Sequence, residues 1–260
     1  MKLYTKNLSY KSILNNINIS FEENTINYIS GSNKCGKTTL IKILSGIVDI
    51  KDSVYYDQKD IYNFSSYELS TLFSKVLLQD IDYFTFSNID QELLYKLDKL
   101  NIDKNTRKKR YNEVVKLFDL DEYLYTNIND LSSIEKLKLS LAKALLSKPE
   151  ILFLDDIFSS IDFNSAKEIL LKLKSIDNLT IIMSSNNLDL STESSKLIIL
   201  NKGEVVLDGD TLDVLTEDSL LNKVGLDLPF MIDLSIKLKY YDLLDDIEFD
   251  MDRMVDKLWK

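Results

Sequence analysis

The stretch GSNKCGKT has the residue types and the spacing of a loop that binds phosphate groups. Gly31 and Gly36 allow a tight backbone curl in which N–H groups point inward toward an anion. Lys37 would extend toward the β- and γ-phosphates of a nucleotide, and the Thr38 hydroxyl would bind Mg²⁺. The predicted nucleotide-binding residues of this loop are Gly31, Ser32, Asn33, Lys34, Cys35, Gly36, Lys37, Thr38 and Thr39.

The alternative for this loop is a glycine turn that merely opens a helix, and the complete pattern argues against it. Cys35 could be a reactive thiol, but we expect a small side chain that fills a small slot.

A second polar group follows the apolar run ILFL, residues 151–154, which ends at Asp155 and Asp156. A continuous apolar run of this kind is typical of a strand buried on both faces. Asp155 would then lie at a strand end near the glycine loop. In nucleotide-hydrolysing enzymes with this type of loop, an aspartate in that place holds Mg²⁺, usually through water.

The elements around these residues alternate between strands and helices. Residues 25–30 predict a strand, and Leu40, Ile43, Leu44 and Ile47 predict one apolar face of a helix after the loop. Half-buried strands are expected at 3–8 and 17–21, helices through 79–145, and a hairpin that turns near 202–203. From residue 212 the chain is again helical, with a break at Pro229. Strand, glycine loop and helix together predict an α/β fold.

The composition excludes several functions. A formal net charge of −10 disfavours nucleic acid as the main partner, because phosphate-backbone binding depends on lysine and arginine. The single cysteine cannot form an internal disulfide, which fits a reducing compartment. The N-terminus lacks a signal-peptide pattern and no apolar run is long enough to cross a bilayer, so we expect a soluble or peripheral cytoplasmic protein.

The motifs in this order resemble the ATPase subunits of ABC transporters: the phosphate loop, Gln79 after an apolar run, a helix start at Leu131–Glu135, ILFLDD and then SSID. The resemblance covers residues 3–225. It implies a P-loop NTPase of ABC ATPase type, with a mixed sheet around the P-loop helix in residues 1–225. It also implies a helical subdomain at about 80–145 and a small C-terminal helical extension at 226–260.

The resemblance also assigns roles to further residues. It implies ATP and Mg²⁺ as cofactors, with Thr38, Gln79 and Asp155 near the metal. Tyr10 would stack on adenine, although a core tyrosine is an equal alternative. The catalytic or supporting positions are Asp156, Asn186 and Gln79, whose loop would face the membrane partner. Ser132 would contact ATP held by the opposite subunit, and Asp162 would communicate across the dimer.

Two catalytic positions depart from the family pattern. Asp156 stands where the family has a glutamate, and a base displaced by about 1 Å can lose on the order of 10² in rate. Asn186 stands where the family has a histidine, and it cannot become cationic. The chain contains no histidine at all. We expect weak hydrolysis; harmless variation in an active enzyme is the alternative.

The segment LSSIE, Leu131–Glu135, occupies the family's signature position, where Leu-Ser-Gly-Gly-Gln is usual. Ser132 and Glu135 have the spacing of a capping box, so a sound helix start is predicted. Ser133 and Ile134 put side chains where glycines would let backbone N–H groups approach a partner's ATP. Glu135 adds a negative charge there, so we expect only weak docking.

The C-terminal region resembles that of ATPases from energy-coupling factor importers, in which it aids dimerisation; a generic helical appendage is the alternative. The resemblance implies a second ABC ATPase, in a heterodimer, and integral membrane subunits at the cytoplasmic face of the membrane. A nucleotide-binding structural subunit and a soluble assembly ATPase are rival hypotheses. The transported substrate and the direction of transport do not follow from the sequence.

Overall fold

The computed structural model describes residues 2–249 and 251–259. The strands are β1 Leu3–Thr5, β2 Leu8–Tyr10, β3 Leu14–Ile17, β4 Ile26–Gly31, β5 Val54–Tyr56, β6 Lys59–Asp60, β7 Phe73–Leu77, β8 Ile151–Asp155, β9 Thr180–Ser184, β10 Lys196–Asn201 and β11 Glu204–Asp210. The α-helices are α1 Lys37–Leu44, α2 Ser66–Leu72, α3 Ile89–Asp98, α4 Lys104–Leu117, α5 Ser133–Leu145, α6 Phe163–Lys174, α7 Thr211–Leu215, α8 Asp218–Val224, α9 Phe230–Tyr240 and α10 Met251–Leu258.

The main sheet has six strands in the order β11-β10-β4-β9-β8-β7. All neighbours pair in parallel except β10 and β11, which form the hairpin predicted near residues 202–203. Every residue of β4, β8 and β9 is buried, as expected for central parallel strands covered on both faces. The sheet is therefore mixed, and its parallel strands carry the predicted polar residues to one edge.

Two smaller sheets accompany the main one. One has the order β1-β5-β6, and the other is the β2–β3 hairpin. This hairpin lies against the glycine loop, because the Asn15 N–H donates to the Gly203 carbonyl at 2.8 Å and the Gly203 N–H donates to the Cys35 carbonyl at 3.0 Å. The N-terminal part of the chain thus supports the loop from one side.

The core forms two clusters, which alternate along the central strands. Leu152 and Leu154 of β8 belong to one cluster, and Ile151 and Phe153 belong to the other. Helix α1 packs in the second cluster, while helices α3 to α6 contribute to the first. Alternate side chains of a strand point to opposite faces, so the sheet is covered on both sides.

Some predicted elements end earlier than expected. Ile47 does not belong to the buried face of α1, because the helix ends at Leu44 and Ile47 is 41% exposed. The strand predicted at 17–21 is wrong in its bounds, since β3 ends at Ile17 and only Ser20 makes an isolated bridge. Residues 18–21 keep Ile19 and Phe21 buried without regular structure, and Val48 after α1 is partly buried against the second core cluster.

The C-terminal helices follow the predicted pattern, and Pro229 lies immediately before α9. Leu226 and Ile232 join the first core cluster, so this region packs on the main body. Its outer side exposes large apolar side chains, including Tyr240 and Trp259. The division into 1–225 and 226–260 remains a prediction. Within the ranges described, no helix combines the length and the apolar character needed to span a membrane.

Candidate functional site

The glycine loop joins β4 to α1 and requires both of its glycines. Gly31 has φ +151° and Gly36 has φ +113°, a region that L side chains rarely adopt. A Cβ atom on Gly31 would lie 2.2 Å from the Leu200 carbonyl oxygen, and one on Gly36 would lie 2.7 Å from Leu14. Cys35 is buried in the loop, as the small-slot interpretation predicts.

Lys37 folds over the loop that precedes it. Its ammonium group donates to the carbonyl oxygens of Gly31 at 2.6 Å and Ser32 at 3.1 Å. Helix α1 begins at this lysine with Gly36 as its N-cap residue, with no side-chain cap and no acidic residue in its first turn. The first N–H groups of the helix are therefore left to a ligand, and the helix dipole favours an anion there.

Asp155 is fixed beside the loop at the end of β8. Its carboxylate accepts hydrogen bonds from Thr38, at 3.2 Å, and from the Ser184 hydroxyl. Parallel pairing of β8 with β9 puts Asp155 directly opposite Ser184. The predicted proximity of Asp155 to the glycine loop is confirmed.

Asp156 turns back toward the same edge of the sheet. It has φ +54°, and its N–H donates to the Ser184 carbonyl at 2.9 Å. Its carboxylate accepts from the Ser185 hydroxyl at 3.4 Å. Burial and the neighbouring Asp155 charge raise the pKa of Asp156, while Lys37 and Ser185 oppose this shift. Asp156 is thus a partly desolvated carboxyl group that lines the cleft.

Asn186 lies on the loop after β9 and reaches across to the glycine loop. Its amide group donates to the Asn33 side-chain oxygen at 3.2 Å. Tyr28 of β4 holds the loop that carries Asn186, because its buried hydroxyl donates to the Asn187 carbonyl at 2.6 Å. Burial raises the pKa of Tyr28, so this phenol stays protonated and remains a donor.

These side chains surround one cavity of about 420 Å³. Its lining residues are Ile13, Asn33, Lys34, Gly36, Lys37, Thr38, Thr39, Asp155, Asp156 and Asn186. Most of the predicted phosphate, metal and catalytic positions therefore meet in one place. Gly31, Ser32 and Cys35 form the floor of the loop behind it.

Four predicted residues lie outside both the cavity lining and the glycine loop. Tyr10 ends β2 and packs partly buried against the second core cluster, with the Lys11 ammonium 5.0 Å from its ring centroid. Gln79 is exposed just past β7, whose last residue pairs with Asp155. Asp162 is exposed and caps α6, and hydrogen bonds from Ser165 lower its pKa.

Ser132 is the fourth, and it confirms the capping-box prediction. Its hydroxyl accepts from the Glu135 N–H at 3.3 Å, and the Glu135 carboxylate accepts from the Ser132 N–H at 2.6 Å. Burial would raise the pKa of Glu135, but hydrogen bonds from Ser132 and Tyr123 outweigh it and lower that pKa. The backbone N–H groups of Ser132 and Glu135 at the start of α5 are therefore bound by side chains of the same two residues.

Sequence reasoning missed several residues of this site. Ser184 and Ser185 hold the two aspartates, yet only the register of β8 with β9 reveals this. Ile13 lines the cavity because the β2–β3 hairpin folds beside the loop, and no local sequence signal marks it. A pair of polar residues where a buried strand ends is the signal that could have identified the serines.

The residues present fit a nucleoside triphosphate with Mg²⁺. The backbone cradle has space that a Cβ at Gly31 or Gly36 would fill, and a cation and an uncapped helix start face it. Thr38 and Asp155 would hold Mg²⁺. No cluster of three or more acidic, cysteine or histidine side chains suited to a metal occurs among the residues described. A hydroxyl beside a single carboxylate, as in Thr38 and Asp155, suits Mg²⁺, which takes its remaining ligands from phosphate and water.

The fold and the site define a P-loop nucleotide-binding protein. The sequence model of the family described as ABC transporter matches residues 14–159. The chain belongs to the ABC transporter family, as the motif order predicts. Membership implies nucleotide binding.

Curated relatives fall into two groups. The chain is 25% identical over 251 residues to the energy-coupling factor transporter ATP-binding protein EcfA1 of Mycoplasma mobile, covering 95% of this chain and 90% of that protein. It is 29% identical over 228 residues to the spermidine/putrescine import ATP-binding protein PotA of Borreliella afzelii, covering 83% of this chain but 64% of that protein.

Solved structures share the fold. The chain matches cbiO1 of Clostridium perfringens, described as part of the ABC transporter complex cbiONQ, with a TM-score of 0.76, 22% identity and coverage of 86% and 94%. It also matches the ATP-binding cassette MJ0796 bound to ADP and Pi, with a TM-score of 0.69, 22% identity and coverage of 80% and 98%.

Proposed function

We propose that this protein is the ATP-binding subunit of an importer of the energy-coupling factor type. The observation that carries the proposal is the cavity in which the glycine loop and Lys37 face Asp155, which itself contacts Thr38. Mg²⁺-bound ATP supplies a phosphoanhydride bond whose cleavage releases the free energy for transport. The chain's own residues bind and orient the phosphates and hold the metal.

The extent of the matches supports the energy-coupling factor type. The match with EcfA1 includes nearly all of both chains, whereas the match with PotA leaves about a third of that relative unmatched. Vitamin or metal-ion uptake is the expected role. The absence of a spanning helix among the residues described agrees with a peripheral subunit at the cytoplasmic membrane face.

A heterodimer with a second ABC ATPase is part of the proposal. Two properties support it: the closed helix start at Ser132–Glu135 and the altered catalytic positions. The side chains of Ser133, Ile134 and Glu135 limit the backbone N–H groups that could bind a partner's nucleotide. Two identical copies of this chain would therefore form weak nucleotide sites at their interface. A different ATPase with an intact signature would bind ATP held at Gly31–Thr39 of this chain.

The C-terminal extension is proposed as a dimerisation element. Tyr240, Tyr241 and Trp259 are each at least 70% exposed, and so large an apolar surface favours a protein contact. Replacement of Tyr240 and Trp259 by serine should weaken association with the second ATPase while ATP binding is retained. Unchanged association would contradict this role.

Steady-state ATP hydrolysis by the purified chain tests the catalytic part. We expect slow turnover, because Asp156 is one methylene shorter than glutamate and Asn186 cannot carry a positive charge. The double replacement Asp156→Glu with Asn186→His should raise the rate on the order of 10²-fold. The matched control is Asp177→Glu with Asn101→His, which makes the same changes at two exposed residues outside the cavity lining. Wild-type turnover at the level of ordinary family members would contradict weak hydrolysis.

A second candidate is a nucleotide-binding structural subunit that scarcely hydrolyses ATP. The Ser132–Glu135 capping box favours it, because it limits what this chain offers to a partner's nucleotide. If ATP binds and the restored variant gains no activity, this candidate is favoured over the first.

A further inference from the structure

A buried phenol lies behind the nucleotide cavity, between the segments that carry Asp156 and Asn186. Tyr28 is on the central strand β4, where it pairs with Met183 of β9, and it is only 1% exposed. Its ring packs in the first core cluster, so its hydroxyl is a polar group inside an apolar layer. Buried polar groups are held by hydrogen bonds, because an unpaired one is costly. The partners of this hydroxyl therefore show which segments Tyr28 holds.

The Tyr28 hydroxyl has its first partner in the loop after β9. It donates to the Asn187 carbonyl at 2.6 Å. Asn187 directly follows Asn186, whose exposed side chain donates to Asn33 of the glycine loop at 3.2 Å. A bond to the neighbouring carbonyl limits how far the Asn186 backbone can move. Tyr28 therefore restrains a side chain that lines the cavity.

Ser185 is the second partner of Tyr28. Burial raises the pKa of Tyr28, and a hydrogen bond from the Ser185 side chain partly opposes this shift. The same hydroxyl lies 3.4 Å from an oxygen of the Asp156 carboxylate, and it accepts from the Asn187 N–H at 3.2 Å. Because a serine hydroxyl has one hydrogen to donate, Ser185 shares it between Tyr28 and Asp156. Ser185 thus connects the phenol to the carboxylate.

Asp156, Ser185, Asn187 and Tyr28 form one connected set of hydrogen bonds, which we call the Tyr28 network. Backbone bonds hold the strand ends together, such as the bond from the Asp156 N–H to the Ser184 carbonyl at 2.9 Å. The network adds side-chain bonds, which are strong in the low dielectric of a protein interior. It joins the segment after β8 to the loop after β9 through one side chain of β4.

We propose that Tyr28 is a positioning residue for ATP cleavage, whose hydroxyl sets the place of Asn186 and, through Ser185, that of the Asp156 carboxylate. This inference rests on the proposed function, because it assumes that Asp156 and Asn186 act on bound ATP. It adds a residue that does not itself line the cavity. A displacement of about 1 Å at a reacting group can cost on the order of 10² in rate, so even a small loosening of the network should slow cleavage.

Removal of the hydroxyl alone tests this role. Tyr28→Phe keeps the ring, and it should slow single-turnover cleavage of Mg²⁺-bound ATP about tenfold, with ATP affinity within about twofold of the wild type. Enzyme in excess over radiolabelled ATP makes slow cleavage measurable. The matched control is Tyr56→Phe, because the buried Tyr56 hydroxyl donates to Glu150, which precedes β8 at the end opposite Asp155. This control also loses one buried hydrogen bond and should cleave ATP at the wild-type rate.

Amide hydrogen exchange measures the loop without any need for ATP cleavage. The Asn187 N–H is bound by the Ser185 hydroxyl, and the Asp189 N–H is bound by the Asn187 side chain at 2.6 Å. Tyr28→Phe should raise the exchange rate of both amides about tenfold, because the loop would open more often. Tyr56→Phe should leave both rates at the wild-type value. Equal exchange in the wild type and Tyr28→Phe would overturn the inference.

A double-mutant cycle tests the link through Ser185. Ser185→Ala should slow cleavage about as much as Tyr28→Phe does. The double variant should be about tenfold slower than the wild type, because both changes break the same link and the second adds little. A loss of about a hundredfold in the double variant would mean that the two residues act independently and would overturn the network.

The outcomes separate this inference from the proposed function. If the wild type binds ATP and cleaves none in a single turnover, the proposed hydrolysis fails and the inference fails with it. If the wild type cleaves ATP and Tyr28→Phe cleaves it equally fast, the inference fails alone, even where amide exchange has risen. Equal losses of ATP affinity and of rate would assign Tyr28 to general support of the fold and would also overturn it.

Discussion

The starts of helices α1 and α5 are built in opposite ways. Helix α1 follows Gly36 with no side-chain cap and no acidic residue in its first turn. Helix α5 follows Ser132, which forms a capping box with Glu135. In it, the side chain of each residue accepts a hydrogen bond from the backbone N–H of the other. From the resemblance to the family, both starts are predicted to face nucleotide phosphates.

The contrast shows that a helix N-terminus can give its N–H groups to a ligand or to its own cap. At α1 the dipole and the free N–H groups add to Lys37, so an anion is favoured. At α5 the carboxylate of Glu135 already neutralises the positive end and would repel a second anion. One helix start is open to phosphate, and the other is stabilised at the expense of binding it.

The largest loss of ATP binding at the start of α1 is expected from Lys37→Ala. Loss of a cation aimed at the phosphates should weaken ATP binding roughly 10²-fold. Calorimetric titration with ATP and Mg²⁺ measures this. Lys42→Ala in the last turn of the same helix is the control. Equal affinity of the Lys37 variant and wild type would refute the assignment of the loop.

The second prediction concerns the cradle itself. Gly31→Ala should lower the free energy of unfolding by about 2–4 kcal/mol, because its Cβ would collide with the Leu200 carbonyl oxygen in a strained conformation. Gly209→Ala is the control, since its Cβ would meet only Val214 at 3.6 Å. Chemical denaturation of both variants gives the difference, and similar stability would refute the clash.

The triple variant Ser133→Gly, Ile134→Gly and Glu135→Gln should make the N–H groups at the start of α5 accessible to a nucleotide. Freed N–H groups and the lost negative charge should strengthen ATP-dependent self-association about tenfold, or roughly 1.4 kcal/mol. Analytical ultracentrifugation with and without ATP measures it. Association that stays weak would mean that residues outside this segment limit the dimer.

The smallest effect is the pH dependence of the α5 cap. Hydrogen bonds depress the folded-state pKa of Glu135 below the ordinary value of 4.5, so its contribution is present above that pH and is lost as pH falls through the folded pKa. Glu135→Gln should cost less than about 1 kcal/mol near neutral pH, and the difference should vanish in acid.

Glu68→Gln is a matched control for that experiment, because Ser65 and Glu68 form the same capping box at α2. Both variants should lose stability that depends on pH in the same direction. Only Glu135→Gln should change ATP-dependent association. If Glu68→Gln also changed the ATP-dependent association, the effect could not be assigned to the start of α5.

Local sequence predicted the elements with strong patterns but missed where some of them end. The glycine loop, the strand before Asp155 and the hairpin near Gly203 follow from spacing and hydrophobic runs. The ends of α1 and β3 do not. Helix α1 ends in a local turn in which Gly46 has φ +70° and the Ile47 N–H donates to the Lys42 carbonyl at 2.8 Å, and β3 ends at Ile17.

The sequence by itself determined the phosphate loop, the helix cap at Ser132 and the family, because each depends on residue types at fixed short spacings. Tertiary structure decided which side chains meet: Ser184 with Asp155, Ser185 with Asp156, and Asn186 with Asn33. It also placed α5 beside β7 and α2, although α5 lies far from both of them in the chain. Register and packing bring these groups together, and no local pattern encodes the distance between residues far apart in sequence.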